Sequence, residues 1–193
     1  MKQYKTVYQL FNELPKKPTN WQKIVDLAVL KNYNKYDILC DSDKNPEKLF
    51  FIKSGIVRKY IIDENGKEYN KYLLSENQIV LSLTAIATKS TSRFTIECLT
   101  DVELYEINYN DLMTVLMQDI ELLKLYTNML HQFFVYMERI EIEKVTLTAS
   151  QGYDLFCKRN PFIAKNTKLL HIASYLGITA IQLSRIRKEL KNS

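Results

Sequence analysis

Glycine is scarce in this sequence: 193 residues contain four. Phosphate cradles of the G-x-G-x-x-G and G-x-x-x-x-G-K-[ST] kinds need clustered glycines, so that backbone N–H groups approach the anion unhindered by a Cβ. Gly55, Gly66, Gly152 and Gly177 are each isolated, which excludes nucleotide-fold enzymes of those kinds. Histidine is scarcer still. The two present, His131 and His171, leave residues 1–130 with none, so a β-roll metalloenzyme has no imidazole set to converge on a metal. Ser or Cys nucleophile schemes need a base as well. No enzymatic activity and no cofactor or metal are expected.

The three cysteines, Cys40, Cys98 and Cys157, lie far apart without a C-x-x-C pair. A disulfide framework, a zinc finger and c-type haem attachment therefore lack support. No stretch approaches the roughly 20 apolar residues of a membrane span. The opening MKQYKTVYQLFNELPKK holds no apolar run of a secretory signal. A cytoplasmic protein that avoids the membrane is expected.

Apolar content of 46% and charged content of 25% are those of an ordinary globular chain. The net charge of +5 is unevenly placed. Residues 150–193 hold Lys158, Arg159, Lys165, Lys168, Arg185, Arg187, Lys188 and Lys191 against Asp154 and Glu189, a net of +6. The remainder is close to neutral. A basic end on a neutral body points to a polyanion at that end.

Tyr4 to Leu14 reads as a short helix ended by Pro15 and Pro18, with Val7, Leu10 and Phe11 on one side. A second helix is expected behind Asn20 as cap, with Trp21, Ile24, Val25 and Leu27. From about residue 28 to 108 the texture is short β-type runs broken by turns. Phe50–Ile52 and Ile56–Ile62 flank Ser54-Gly55, and Asp63-Glu64-Asn65-Gly66 reads as a hairpin turn. Lys67–Leu74, Gln78–Leu83, Phe94–Leu99 and Val102–Ile107 continue the series. Such spacing predicts an antiparallel β-sandwich or β-roll.

Asn110–Leu116 reads as a connecting helix, and a long helix follows over about Ile120–Leu147. Leu122, Tyr126, Met129, Phe133, Tyr136 and Ile140 recur at heptad a/d spacing, with Glu143 on one a position. At 1.5 Å per residue the helix spans about 40 Å, more than a small β-domain covers. These residues are expected to form a parallel dimer seam.

In the last stretch, Ile172, Ala173 and Leu176 form the buried face of a short helix, and Gly177 supplies a tight turn plugged by Ile178. Thr179 caps a second helix whose inner face is Leu183, Ile186 and Leu190. Two helices joined by such a turn are a helix-turn-helix. Its second helix presents Thr179, Ala180, Ile181, Gln182, Ser184, Arg185, Arg187 and Lys188, with Lys168 nearby, as expected DNA contacts. Arg can bridge guanine O6 and N7, Gln can pair with adenine, and Lys or Arg can hold phosphates.

Ile172-Ala-Ser-Tyr-Leu-Gly-Ile-Thr179 followed by Leu183-Ser-Arg-Ile-Arg187 closely resembles the DNA-binding end of Crp/Fnr-type transcription regulators. Leu49 to Tyr60 and Asp63 to Glu68 resemble the early β-roll strands of the same family's sensor domain. The resemblance implies an α+β fold: an N-terminal antiparallel β-roll (a cyclic-nucleotide-binding-like jelly roll) with short flanking helices, then a long dimerisation helix and a C-terminal helix-turn-helix. The wing that often accompanies that motif is expected to be reduced or absent, since Phe156–Thr167 is short and holds Pro161. The expected domains are a sensor-like β-roll over 1–117, a dimerisation helix over 118–148 and a DNA-binding domain over 149–193.

The resemblance further implies a homodimeric, sequence-specific regulator of double-stranded DNA. Its two reading helices would enter major grooves about 34 Å apart on a near-palindromic operator. RNA polymerase is implied as a further partner. The family's cyclic-nucleotide members grip ribose and phosphate with a Gly-Glu pair and an Arg-Ser pair. Ile79 to Phe94 has neither Gly nor Glu and offers only Ser92-Arg93, so an effector other than cAMP is expected. Its candidate pocket is Tyr72, Leu81, Leu83 and Arg93 of the roll with Met129 and Phe133 of the helix, residues that equally suit a core. A cyclic-nucleotide-responsive regulator and a non-enzymatic RNA-binding or interaction protein are the alternatives.

Overall fold

The computed structural model describes residues 20–192. The helix expected over Tyr4–Leu14 lies outside the described residues. Helix α1 is a single turn, Gln22–Val25, with Trp21 rather than Asn20 at its N-cap. The Asn20 side chain is engaged elsewhere: its amide donates to Asp119.

Eight strands follow in two antiparallel four-stranded sheets. They are β1 (Val29–Tyr33), β2 (Ile38–Cys40), β3 (Lys48–Ser54), β4 (Val57–Ile62), β5 (Glu68–Leu74), β6 (Ile79–Val80), β7 (Thr95–Cys98) and β8 (Val102–Asn108). One sheet runs β1-β8-β3-β6 and the other β2-β7-β4-β5. Alternation carries Phe50, Ile52, Val57, Ile96, Cys98, Val102 and Leu104 into the space between them, where they are buried.

Two turns depend on glycine. Gly66 takes φ +77° while Asp63 accepts from the backbone N–H groups of Asn65 and Lys67, each at 2.9 Å. Gly55 takes φ +94°, and a Cβ there would sit 2.4 Å from the Asp101 carbonyl oxygen.

The strand expected over Gln78–Leu83 is only two residues long, and helix α2 (Leu83–Thr88) begins where it was to end. Ser82 breaks the strand by turning inward to the buried Ser92 hydroxyl, 2.9 Å away.

Helix α3 (Tyr109–Met117) and long helix α4 (Ile120–Thr146) are capped by Asn108 and Asp119, each accepting from two backbone N–H groups of the first turn. Then come α5 (Ala149–Arg159), α6 (Pro161–Asn166), α7 (Leu169–Leu176) and α8 (Ala180–Asn192). Among the described residues no strand follows Asn108, and no single helix is long and apolar enough to cross a membrane.

Two further cores flank the roll. Leu49 and Ile107 pack outward against Ile24, Leu112, Leu116 and Leu122. On the other side Ile56, Leu73 and Leu99 join Phe156, Ile163, Ile172, Ala173 and Leu183 in one cluster. The C-terminal helices therefore share a core with the β-roll.

Candidate DNA-reading surface and effector pocket

Helices α7 and α8 meet at 100°, within the range of a helix-turn-helix. Gly177 makes the corner at φ +72°, and the Ile178 N–H returns to the Ala173 carbonyl at 3.0 Å. Thr179 and Gln182 form a capping box. The Gln182 N–H donates to Thr179 Oγ1 at 3.1 Å, while Gln182 Oε1 accepts from the Thr179 N–H at 2.9 Å. That geometry corrects the role expected for Gln182. Pairing with adenine requires the same carbonyl oxygen, which the cap already occupies.

The other expected reading residues divide by position. Ile181 is 68% exposed, and Gln182, Ser184, Arg185 and Lys188 are exposed beside it. Ser184, Arg187 and Lys188 line, with Leu169, an open cleft of about 220 Å³ between the two helices. Ala180 is half-buried against the shared core. Lys168 leans on the roll, its Nζ 3.5 Å from the Tyr36 hydroxyl. Leu190, expected on the inner face, is exposed.

Of the expected effector residues the structure brings Tyr72 and the Leu81 carbonyl to one lysine, and leaves Arg93 and Phe133 exposed. Arg93 is exposed on the bend before β7, where the inward residue is its neighbour Ser92, whose hydroxyl bonds Ser82 and the Phe94 carbonyl. The Tyr72 hydroxyl meets Met137 Sδ at 2.9 Å, one turn past Phe133. Phe133 remains 43% exposed. Leu83 opens α2 instead of ending a strand.

The cation inside the roll is Lys59, which the sequence reading did not single out. Its Nζ donates to the Leu81 carbonyl at 2.9 Å and lies 4.3 Å from the centre of the Phe94 ring. The signal was present, since Lys59 stands two residues beyond the buried Val57 on one strand.

Arg58, on the opposite face of β4, was likewise unforeseen. Its guanidinium bonds Glu97 through Nε at 2.9 Å and Nη2 at 2.5 Å, reaches Glu68, and stacks on Tyr60 at 3.8 Å. Burial opposes its charge, but the bonds to Glu68 and Glu97 outweigh burial and raise its pKa. His171 of α7 completes the cluster. Burial first, and then Arg58, holds its pKa below the ordinary 6.5. Asn70 also crosses to α7: its N–H donates to Ser174 Oγ at 2.9 Å and its amide to the His171 carbonyl at 3.1 Å.

The expected dimer seam faces the chain's own body over much of its length. Leu122 is fully buried in the core beneath α3, and the Tyr126 hydroxyl bonds that of Tyr109 at 2.8 Å. Tyr136 hydrogen-bonds Tyr175 of α7. Glu143, the polar a position, takes a bidentate bond from Arg159 at 2.6 and 2.7 Å. Met129 and Ile140 are half-buried on the same side. The opposite side of α4 carries Ile120, Phe134, Val135, Ile142 and Val145, all exposed, with Val145 at 86%.

The cyclic nucleotide-binding domain family matches residues 30–119. No curated protein matches the chain by sequence. Solved structures match over most of its length. FixK2 from Bradyrhizobium japonicum has a TM-score of 0.70 at 18% identity, over 86% of this chain and 85% of its own. A regulator assigned to the Crp/Fnr family from Eubacterium rectale has a TM-score of 0.64 at 20% identity, over 96% and 87%. The c-di-GMP responsive global regulator CLP of Xanthomonas campestris has a TM-score of 0.61 at 14% identity, over 89% and 90%. These identities speak to fold. The antiparallel roll, the long helix and the helix pair bent at 100° follow in the order of the Crp/Fnr fold, so the chain has that fold, with a β-sandwich of cyclic nucleotide-binding type matched over residues 30–119.

Proposed function

We propose that this protein is a homodimeric, sequence-specific DNA-binding transcription regulator whose β-roll takes a small effector other than cAMP. The observation that carries the reading is the α7–α8 pair. Its 100° crossing leaves Ile181, Ser184, Arg185 and Lys188 pointing away from the shared core, on the basic end of the chain. Arg185 is the base reader, Ile181 an apolar contact to thymine methyl groups, and Arg187 and Lys188 grip phosphate. RNA polymerase is the partner that a promoter-bound regulator would engage.

The second copy seats on α4, through the stripe of Phe134, Val135, Ile142 and Val145. Apolar side chains recurring along one side of a long helix are the pattern of a helix–helix seam. The roll presses on the other side of the same helix, so an effector there biases the angle between the two copies.

Selection from a random duplex pool tests the reading. Enrichment of a near-palindromic sequence with half-sites one helical turn apart is expected. Recovery of no duplex above bulk, or of RNA in preference to duplex, would overturn it. A cyclic-nucleotide-responsive regulator is the second reading, favoured by the family match over residues 30–119. Enrichment that requires added cAMP or cGMP would establish it.

A further inference from the structure

We infer that Lys59 is the anchor for a small anionic effector, a carboxylate or phosphate on a flat apolar body, held between the roll and α4. This rests on the reading of the roll as a sensor and names the chemistry of what it senses.

An ammonium has three N–H donors. The structure gives Lys59 one oxygen acceptor, the Leu81 carbonyl. Its surroundings are otherwise rings and like charge: Phe94 at 4.3 Å, Tyr72 at 5.9 Å, and Lys71 on the neighbouring strand. The groups that act on it electrostatically are the Cys40 thiol and Lys71, with no carboxylate between them. Burial pushes the Lys59 pKa down to about 8, with Lys71 adding to the shift and Cys40 opposing it.

Lys71 stands at a register shift. Lys59 pairs with Tyr72 but Tyr60 with Asn70, so Lys71 is the extra residue of a β-bulge. Bulges re-aim side chains and gather beside functional sites. Across the seam, Lys144 of α4 is also held below its ordinary pKa by burial and then by Lys71, with Glu141 opposing. Lys71 thus acts on Lys59 of the roll and on Lys144 of α4, and Tyr72 beside it touches Met137 of the same helix.

A desolvated ammonium beside like charges is held at a cost unless an anion joins it. An incoming carboxylate or phosphate would add an acceptor beside the Leu81 carbonyl and neutralise the repulsion. The Phe94 and Tyr72 rings offer walls to a planar body. Arg93, the cation nearest in sequence to the expected anion grip, is on the outside.

The test is a titration of full-length protein with benzoate, inorganic phosphate and cAMP, read by calorimetry and by the NMR titration of the lysine Nζ groups. At least one anion is expected to bind wild type and raise the Lys59 pKa. Lys59→Met should weaken that binding about tenfold or more, the size of a lost charge-assisted bond. Lys59→Arg should keep most of it, and Arg93→Met should leave it unchanged. Whichever anion binds separates an aromatic carboxylate from free phosphate and from a phosphodiester. The site is overturned if none of the three moves the Lys59 titration, or if binding survives Lys59→Met. Duplex selection without added anion is separate: enrichment there with no anion bound sinks this site and leaves the regulator standing.

Discussion

Arg58 Nη1 lies 3.4 Å from His171 Nδ1, and the two residues belong to different layers of the molecule. Arg58 sits on β4 and His171 on the first helix of the helix-turn-helix. The contact ties α7, the helix before the proposed reading helix, to the strand whose other face carries Lys59. For the proposed regulator this contact would be a second link between the roll and the C-terminal helix pair, besides α4.

Replacing Arg58 should show how much of the fold leans on this cluster. Arg58 and Glu97 are both buried, at 5% and 7% exposure. Arg58→Met strands the Glu97 carboxylate and should cost about 3–5 kcal/mol in urea unfolding. The double variant Arg58→Met with Glu97→Met should recover most of that loss, because the buried charge leaves with its partner.

His171 should make the stability pH-dependent. Its folded pKa is depressed below 6.5 by burial and then by Arg58, with Glu68 and Glu97 opposing and Lys168 adding. The unfolded chain therefore takes up a proton that the folded chain resists. The stability from neutral His171 is complete above 6.5 and is lost as pH falls through the lower folded value. Thermal unfolding of wild type and His171→Gln from about pH 5 to 8 checks this. The variant should lose less stability than wild type on the acid side of that range.

The two sides of α4 should respond to substitution in different ways. Phe134→Asp or Val145→Asp, on the exposed stripe, should weaken dimerisation about tenfold or more while leaving the monomer folded. Sedimentation velocity over a concentration series reads it. Leu122→Ala, within the chain's own core, should cost about 2–5 kcal/mol of stability. If Leu122→Ala dissociated the dimer and left unfolding unchanged, the assignment of the two sides would be reversed.

On the reading helix, Arg185→Ala should relax sequence preference at one base position by about 1–3 kcal/mol. Lys188→Ala should lower affinity for all duplexes alike and reduce the salt slope by about one. Binding measured over a range of salt on the selected duplex and on single-base variants separates the two. Identical uniform losses from both variants would deny Arg185 a role in base readout.

The helix-turn-helix was readable because it is local. Gly177, Thr179 and the spacing of Ile172, Ala173, Leu183 and Ile186 act within a few residues of one another, and each takes its expected place. Strands β4, β5 and β7 fell within expected runs and β3 and β8 overlap theirs for the same reason, alternation being a property of the strand itself. The exceptions depended on distant partners. Asn20 is drawn off its helix by Asp119, and Ser82 ends its strand by bonding Ser92. Gln182 resisted reading in another way, because one carbonyl oxygen serves either the cap or a base.

From the sequence alone came the order of elements, the basic reading end, the turn glycines and the lack of a Gly-Glu pair between Ile79 and Phe94. The tertiary structure decided which surfaces those elements spend on one another. It turned the heptad face of α4 onto the chain's own roll and C-terminal helices and left Phe134, Val135, Ile142 and Val145 outside. It also placed Lys59 inside and Arg93 outside. Periodicity names the residues that share a face, but what covers that face depends on segments far away along the chain.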